Sequence, residues 1–239
     1  MADRRASEAV PVLSPIIAAV ERQLAAFYGF PIASEAAGHL ISRDDLRVFL
    51  GDDAAAHPGW GARGGVWLLN RDEAEDVFIG IHIDDEAVGR LQQDDPLAHL
   101  HNRNLDPFCV LVEEVSHFHL ILNRAQADRT VTRLELEWQA EIDKLLICAQ
   151  TLQRQSGDPH LLPLARMLYD CASIDADDTD LYWQATKHAA RFWFEALRND
   201  GAVTLDALRS TLRQVYRTSW PGKLESLATG RTRARQQAS

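Results

Sequence analysis

FCVLVEEVSHFHLIL, residues 108–122, is apolar almost all the way round when wound into a helix. At about 100° per residue, Phe108, Leu111, Val112, Val115, Phe118, His119 and Leu122 form one continuous stripe. The reverse side is also apolar, with Cys109, Val110, Leu120 and Ile121. Glu113, Glu114, Ser116 and His117 are the only polar side chains outside the main stripe. A helix of this kind has no face to give to water, so the pattern predicts a buried central helix that the rest of the chain covers.

Toward the C-terminus the signals are helical. Asp106-Pro107 reads as a cap and first-turn pair opening the central helix, which runs to about Asn123. Thr132 and Glu135 read as a capping box for a longer helix that reaches Gln153 and is ended by Gly157 and Pro159. Further helices are expected over Leu161–Cys171, Asp180–Arg198 and Thr204–Tyr216, with Asn199, Asp200 and Gly201 separating the last two. Toward the N-terminus, Ile16, Ile17, Val20, Leu24 and Phe27 follow a helical period from Pro15, and Gly29 with Pro31 ends it. The first ten residues are expected to fray.

Between these helical regions, Leu46–Leu50, Val66–Leu69 and Val77–Ile83 read as short strands, with a polar turn over Asn70–Asp76. The connection from Gly51 to Gly65, which contains Pro58 and Trp60, reads as irregular. The expected fold is α+β and predominantly helical, with a small antiparallel sheet of about three strands within residues 46–83 packed on a multi-helix body. No low-complexity linker divides the chain, so residues 1–229 read as a single domain, with a break near residue 95 as the alternative. Residues 230–239, with Arg231, Arg233 and Arg235, read as a disordered basic tail.

With 239 residues, 46% of them hydrophobic, the chain can bury a core. Its 35 acidic residues outweigh 25 basic ones, and the net charge of −10 argues against nucleic acid as a partner. Cys109, Cys148 and Cys171 are odd in number and far apart, each inside an apolar helical pattern. They fit neither a disulfide framework nor a metal knuckle and point to a reducing, cytoplasmic setting. The apolar run Ala9–Val20 is short and broken by Pro11 and Pro15, so neither a signal peptide nor a membrane span is expected.

Burial makes the polar residues of the central helix chemically interesting. Glu113 and His117 stand one turn apart, and Glu114 is three residues before the same histidine. Carboxylates in a dry interior cost several kcal/mol each unless answered by a metal ion, a cation, a proton or a water-filled cleft. The following helix has the apolar stripe Val131, Leu134, Trp138, Ile142, Leu145, Ala149 and Leu152, flanked by Glu137, Glu141, Lys144 and Cys148. An antiparallel pair of these helices would bring carboxylates, a histidine and a lysine together, as an active site or as a structural salt-bridge network.

The run Leu111-Val112-Glu113-Glu114-Val115-Ser116-His117 resembles the zincin metallopeptidase helix motif H-E-x-x-H, with Glu113 in place of the first histidine. Glu137 or Glu141 is similar in place to the downstream Glu ligand of gluzincins. The resemblance implies zinc or another divalent metal on Glu113, His117 and Glu137 or Glu141, with Glu114 as general base. Replacing one imidazole by a carboxylate shifts such a site toward harder metals. Glu114 with His117 also matches one E-x-x-H helix of a di-iron bundle, but that fold needs a second, and His188 has Ala185 three residues before it. His119, within the apolar stripe, reads as a satisfied core histidine.

Elsewhere Lys187 and Arg191 alternate with Tyr182, Trp183, Phe192, Trp193 and Phe194, a pattern that can hold an anionic ligand but reads more simply as an amphipathic helix. Arg213, Tyr216, Arg217 and Lys223 make a modest basic patch suited to an acidic partner. There is no nucleophile elbow, phosphate-binding glycine loop or dinucleotide fingerprint. The first expectation is therefore a non-catalytic binding or assembly protein with a buried Glu/His network, a protein partner and room for a homo-oligomer. A metal-dependent hydrolase and a sensor of a small anionic ligand are the alternatives.

Overall fold

A computed structural model describes residues 3–57, 59–70, 77–169, 181–198, 204–218 and 222. The chain is α+β and predominantly helical, with a small antiparallel sheet. Its elements are α1 (Asp3–Tyr28), α2 (Arg43–Leu50), β1 (Gly64–Asn70), β2 (Val77–Ile83), α3 (Asp85–Gln93), α4 (Asn102–Gln126), α5 (Arg133–Ser156), α6 (Leu161–Tyr169), α7 (Leu181–Arg198) and α8 (Leu205–Arg217). The contacts group into two compact units: Met1–Gln23 with Pro31–Asn123, and Leu24–Phe30 with Arg124–Ser239.

In the first unit the sheet has two strands among the described residues, not about three. Leu46–Leu50, expected as a strand, belongs to α2. Ser42 and Asp45 form a reciprocal capping box that starts a helix there. The alternation of Leu46, Val48 and Leu50 misleads because Val48 points into solvent, 82% exposed, while Leu46 is buried. β1 and β2 pair antiparallel with Gly64 opposite Ile83, Trp67 opposite Gly80 and Asn70 opposite Val77. Residues 71–76 of the expected turn lie outside the described residues. The Ile41 N–H donates to the Ile81 carbonyl at 2.8 Å, tying the preceding loop to the other edge of β2.

α3 follows directly, its first turn capped by the Asp84 side chain, which accepts from the Ala87 N–H at 2.7 Å. α4 starts at Asn102, earlier than the expected Asp106-Pro107 opening. Asn104, fully buried, stitches this start: its Oδ1 accepts from the His101 N–H at 2.9 Å and its Nδ2 donates to the His99 carbonyl at 2.9 Å. Pro107 then lies inside the helix, where it cannot donate to the Arg103 carbonyl. Residues 111–120 of α4 are buried with the sole exception of Glu113, which is half-buried. The all-round apolar pattern has done what it predicted. α1 likewise extends back to Asp3, beyond the expected start at Pro15.

In the second unit α5 is capped by Thr132, whose side chain accepts from the Glu135 N–H, and it ends on Gly157 at φ +79°, where the left-handed backbone suits glycine. Its buried Trp138 meets Phe192 of α7 edge to face at 6.2 Å between ring centroids. Leu164, Ala165 and Tyr169 of α6 and Ala185, Ala189 and Trp193 of α7 are buried as well. α7 and α8 lie within a residue of the expected bounds, and Thr204 caps α8.

Cys109 and Cys148 are buried and unbridged. Cys171, the separator Asn199–Gly201 and the tail 230–239 lie outside the described residues. No helix among the described residues is long and apolar enough to cross a membrane.

Candidate metal centre

The polar residues of α4 are placed by the helix's burial and, for Glu114, by a glycine in β1. Glu114 is 4% exposed and His117 8%. The Glu114 carboxylate occupies the space that a side chain at Gly64 would fill: a Cβ there would sit 2.5 Å from Oε1 and 2.9 Å from Cδ. The other carboxylate oxygen, Oε2, is 3.6 Å from His117 Nδ1. A carboxylate beside a buried imidazole orients the ring.

Glu113 and His117 stand one turn apart on α4, a carboxylate and an imidazole that can each offer one ligand atom. Glu137 is itself buried at 7% exposure, with the exposed Arg133 guanidinium 3.8 Å away one turn earlier on α5. Glu141, also expected at a metal centre, lies on α5 four residues after Glu137. Its Oε1 accepts from Lys144 Nζ at 2.7 Å and from the Thr186 hydroxyl at 3.2 Å, which turns it toward α7.

Lys187 and Arg191, expected as anion-binding residues, both lie on α7. The Lys187 ammonium sits 4.6 Å from the centroid of the Trp183 ring, and Arg191 Nε is 2.9 Å from Glu195 Oε1. Both are exposed and held in local helical pairs. His188 between them has its pKa lowered by burial and by the Arg191 charge.

His119 is a satisfied core histidine. Its Nε2 is 2.8 Å from Glu21 Oε1, and the same oxygen accepts the Ala36 N–H at 2.7 Å. Glu21 was not among the expected residues, although it falls between Ile17 and Leu24 on the buried face of α1, where a carboxylate needs a partner. Two further buried polar groups lie in the second unit. Arg124 Nη2 donates to Glu135 Oε1 at 2.8 Å and to the Tyr216 carbonyl at 2.7 Å, so Glu135 does more than mark a helix start. Tyr28 donates to Asp143 Oδ1 at 2.5 Å, with Gln139 bonded to both.

Comparison with protein-family models, with curated proteins and with solved structures finds no match. The functional reading therefore stands on the chemistry of these side chains alone.

Proposed function

We propose that this is a divalent-cation-binding protein whose ion is held by Glu113 and His117 of α4. The observation that carries this reading is a carboxylate and an imidazole one turn apart on a stretch of helix, residues 111–120, in which every residue but Glu113 is buried. A dication offsets carboxylate charge, which is costly in a dry interior. Nitrogen and oxygen donors suit zinc, manganese or iron(II) better than a soft ion such as copper(I).

The position of Glu114 favours an ion that serves binding or stability over one that activates water. A general base must reach the water it deprotonates, and the Glu114 carboxylate is packed against Gly64 with 4% exposure. The hydrolase implied by the zincin resemblance is accordingly the weaker reading.

Elemental analysis of protein purified without a His tag tests the proposal. One equivalent of zinc, manganese or iron is expected, lost in His117→Ala while the circular dichroism stays helical. A metal-free protein whose melting temperature does not rise when these ions are added overturns it.

A further inference from the structure

We propose that α8 forms a binding site for a small molecule carrying adjacent anionic groups, as in a polyphosphate or a polycarboxylate. Arg209, Arg213 and Arg217 recur every fourth residue and so line one face of the helix. Like charges at this spacing repel one another. They border an open groove of about 600 Å³, with Asp206, Ser210 and Gln214 also in its wall.

The three guanidiniums are engaged to different degrees. Arg213 donates through Nε to the Phe27 carbonyl at 2.5 Å and through Nη2 to the Ala26 carbonyl at 3.0 Å, so it neutralises the C-terminal end of α1. Arg209 is bonded to Asp206 at 2.7 Å and lies 4.9 Å from the centroid of the Phe27 ring. Arg217 is exposed, and its guanidinium makes no hydrogen bond or ion pair with any described residue. Its Nη2 and that of Arg213 both approach Gly29, within 3.7 Å of where a Cβ on that residue would stand. The open guanidinium thus lies beside a second one that is already oriented. Arg217 presents an open fork of parallel N–H groups, and Arg213 adds its Nη1 donors beside it, for phosphate or carboxylate oxygens to accept.

The chain's own C-terminal residues 223–239 do not complement this face, because Lys223, Arg231, Arg233 and Arg235 outnumber the single acid Glu225. In a protein of net charge −10, a concentrated cationic face selects anions from outside it. Lys187 and Arg191, each already paired within α7, offer no comparable opening.

Calorimetric titration of the full chain with inorganic tripolyphosphate, and separately with citrate, tests the site. Saturable one-to-one binding of at least one probe is expected, weakening as salt is raised. Arg217→Gln should reduce the affinity about tenfold or more, and Arg217→Lys should restore part of it, because a point charge replaces a fork. Arg191→Gln should leave binding unchanged. The two probes separate phosphate from carboxylate chemistry. Three outcomes overturn the proposal: no saturable binding of either probe, equal binding by Arg217→Gln, or heat that follows self-association in light scattering, which would assign the face to an acidic surface of a second copy.

Discussion

Glu114 of α4 lies where Gly64 of β1 has no side chain, with Oε1 2.5 Å from the position a Cβ would take. The contact joins the central helix to the sheet through a charged group, and it works only because the strand opens with glycine. Carboxylates ordinarily yield by swinging away, but this one is 4% exposed and has little space to move into.

Gly64→Ala is therefore expected to destabilise the fold by about 1–3 kcal/mol, the range for overpacking a filled interior. The measurement is the urea midpoint at unchanged m-value. Gly61→Ala is the control, since a Cβ there meets nothing within 4 Å. Equal midpoints for the two variants would show that Glu114 is not confined.

Glu113 and Glu141 should separate in a metal-binding experiment. Glu113 is the proposed ligand one turn before His117, whereas Glu141 is held by Lys144 at 2.7 Å. Glu113→Gln is expected to weaken metal binding by more than the roughly 10–100-fold that loss of an outer-shell partner costs. Glu141→Gln should leave the affinity within a factor of about 3, with Lys144 turning to solvent. Competition titration against a chelator of known affinity measures both.

The reach of the sequence follows the range of the interactions. Helices whose period and caps are local, such as α5 with Thr132 and Gly157 or α8 with Thr204, lie where the pattern puts them. The burial of α4 was legible because an apolar surface on every side leaves no other choice. Residues 46–50 were misread because alternation over five residues fits a strand as well as one helical turn, and the deciding signal was the Ser42–Asp45 cap just before them. In the candidate metal centre, Glu113 and His117 were visible as an i, i+4 pair. The engagement of Glu141 by Lys144 and Thr186 was not, because Thr186 lies 45 residues further along the chain. The Glu21–His119 pair spans 98 residues of sequence, and no local pattern announces it.

His82 gives the fold an acid sensitivity. It is buried in β2 with Nδ1 3.4 Å from the Ile41 carbonyl, and its pKa is lowered from 6.5, first by burial and then, against the pull of that hydrogen bond, by the Arg43 charge. Asp84 and Asp85 oppose the shift. Because the folded value lies below the unfolded one, the unfolded chain binds the proton more readily. The contribution is fully present above about pH 6.5 and is lost as pH falls through the folded value. His82→Gln, which cannot titrate, should show a shallower loss of stability between pH 7 and pH 5 than the parent. Parallel slopes from urea titrations across that window would remove His82 from the account.

Tyr28 and Asp143 should behave as a coupled pair. The Tyr28 hydroxyl donates to Asp143 Oδ1 at 2.5 Å and accepts from Gln139 Nε2 at 3.1 Å, while its ring stacks on Tyr216 with centroids 4.3 Å apart. Burial, followed by the Asp143 charge, holds the hydroxyl's pKa well above its ordinary value of 10.0, so it remains a donor throughout the physiological range. Tyr28→Phe keeps the stacking and removes only the oxygen. Its expected cost is about 1.5–3 kcal/mol, that of a hydrogen bond to a charged group. Asp143→Ala should also destabilise, but the double variant should cost less than the sum of the single changes, since each single change already breaks the same bond. A thermodynamic cycle from four denaturation curves measures that difference. Strict additivity would mean that the short contact contributes nothing of its own and that the ring stacking alone anchors Tyr28 against Tyr216.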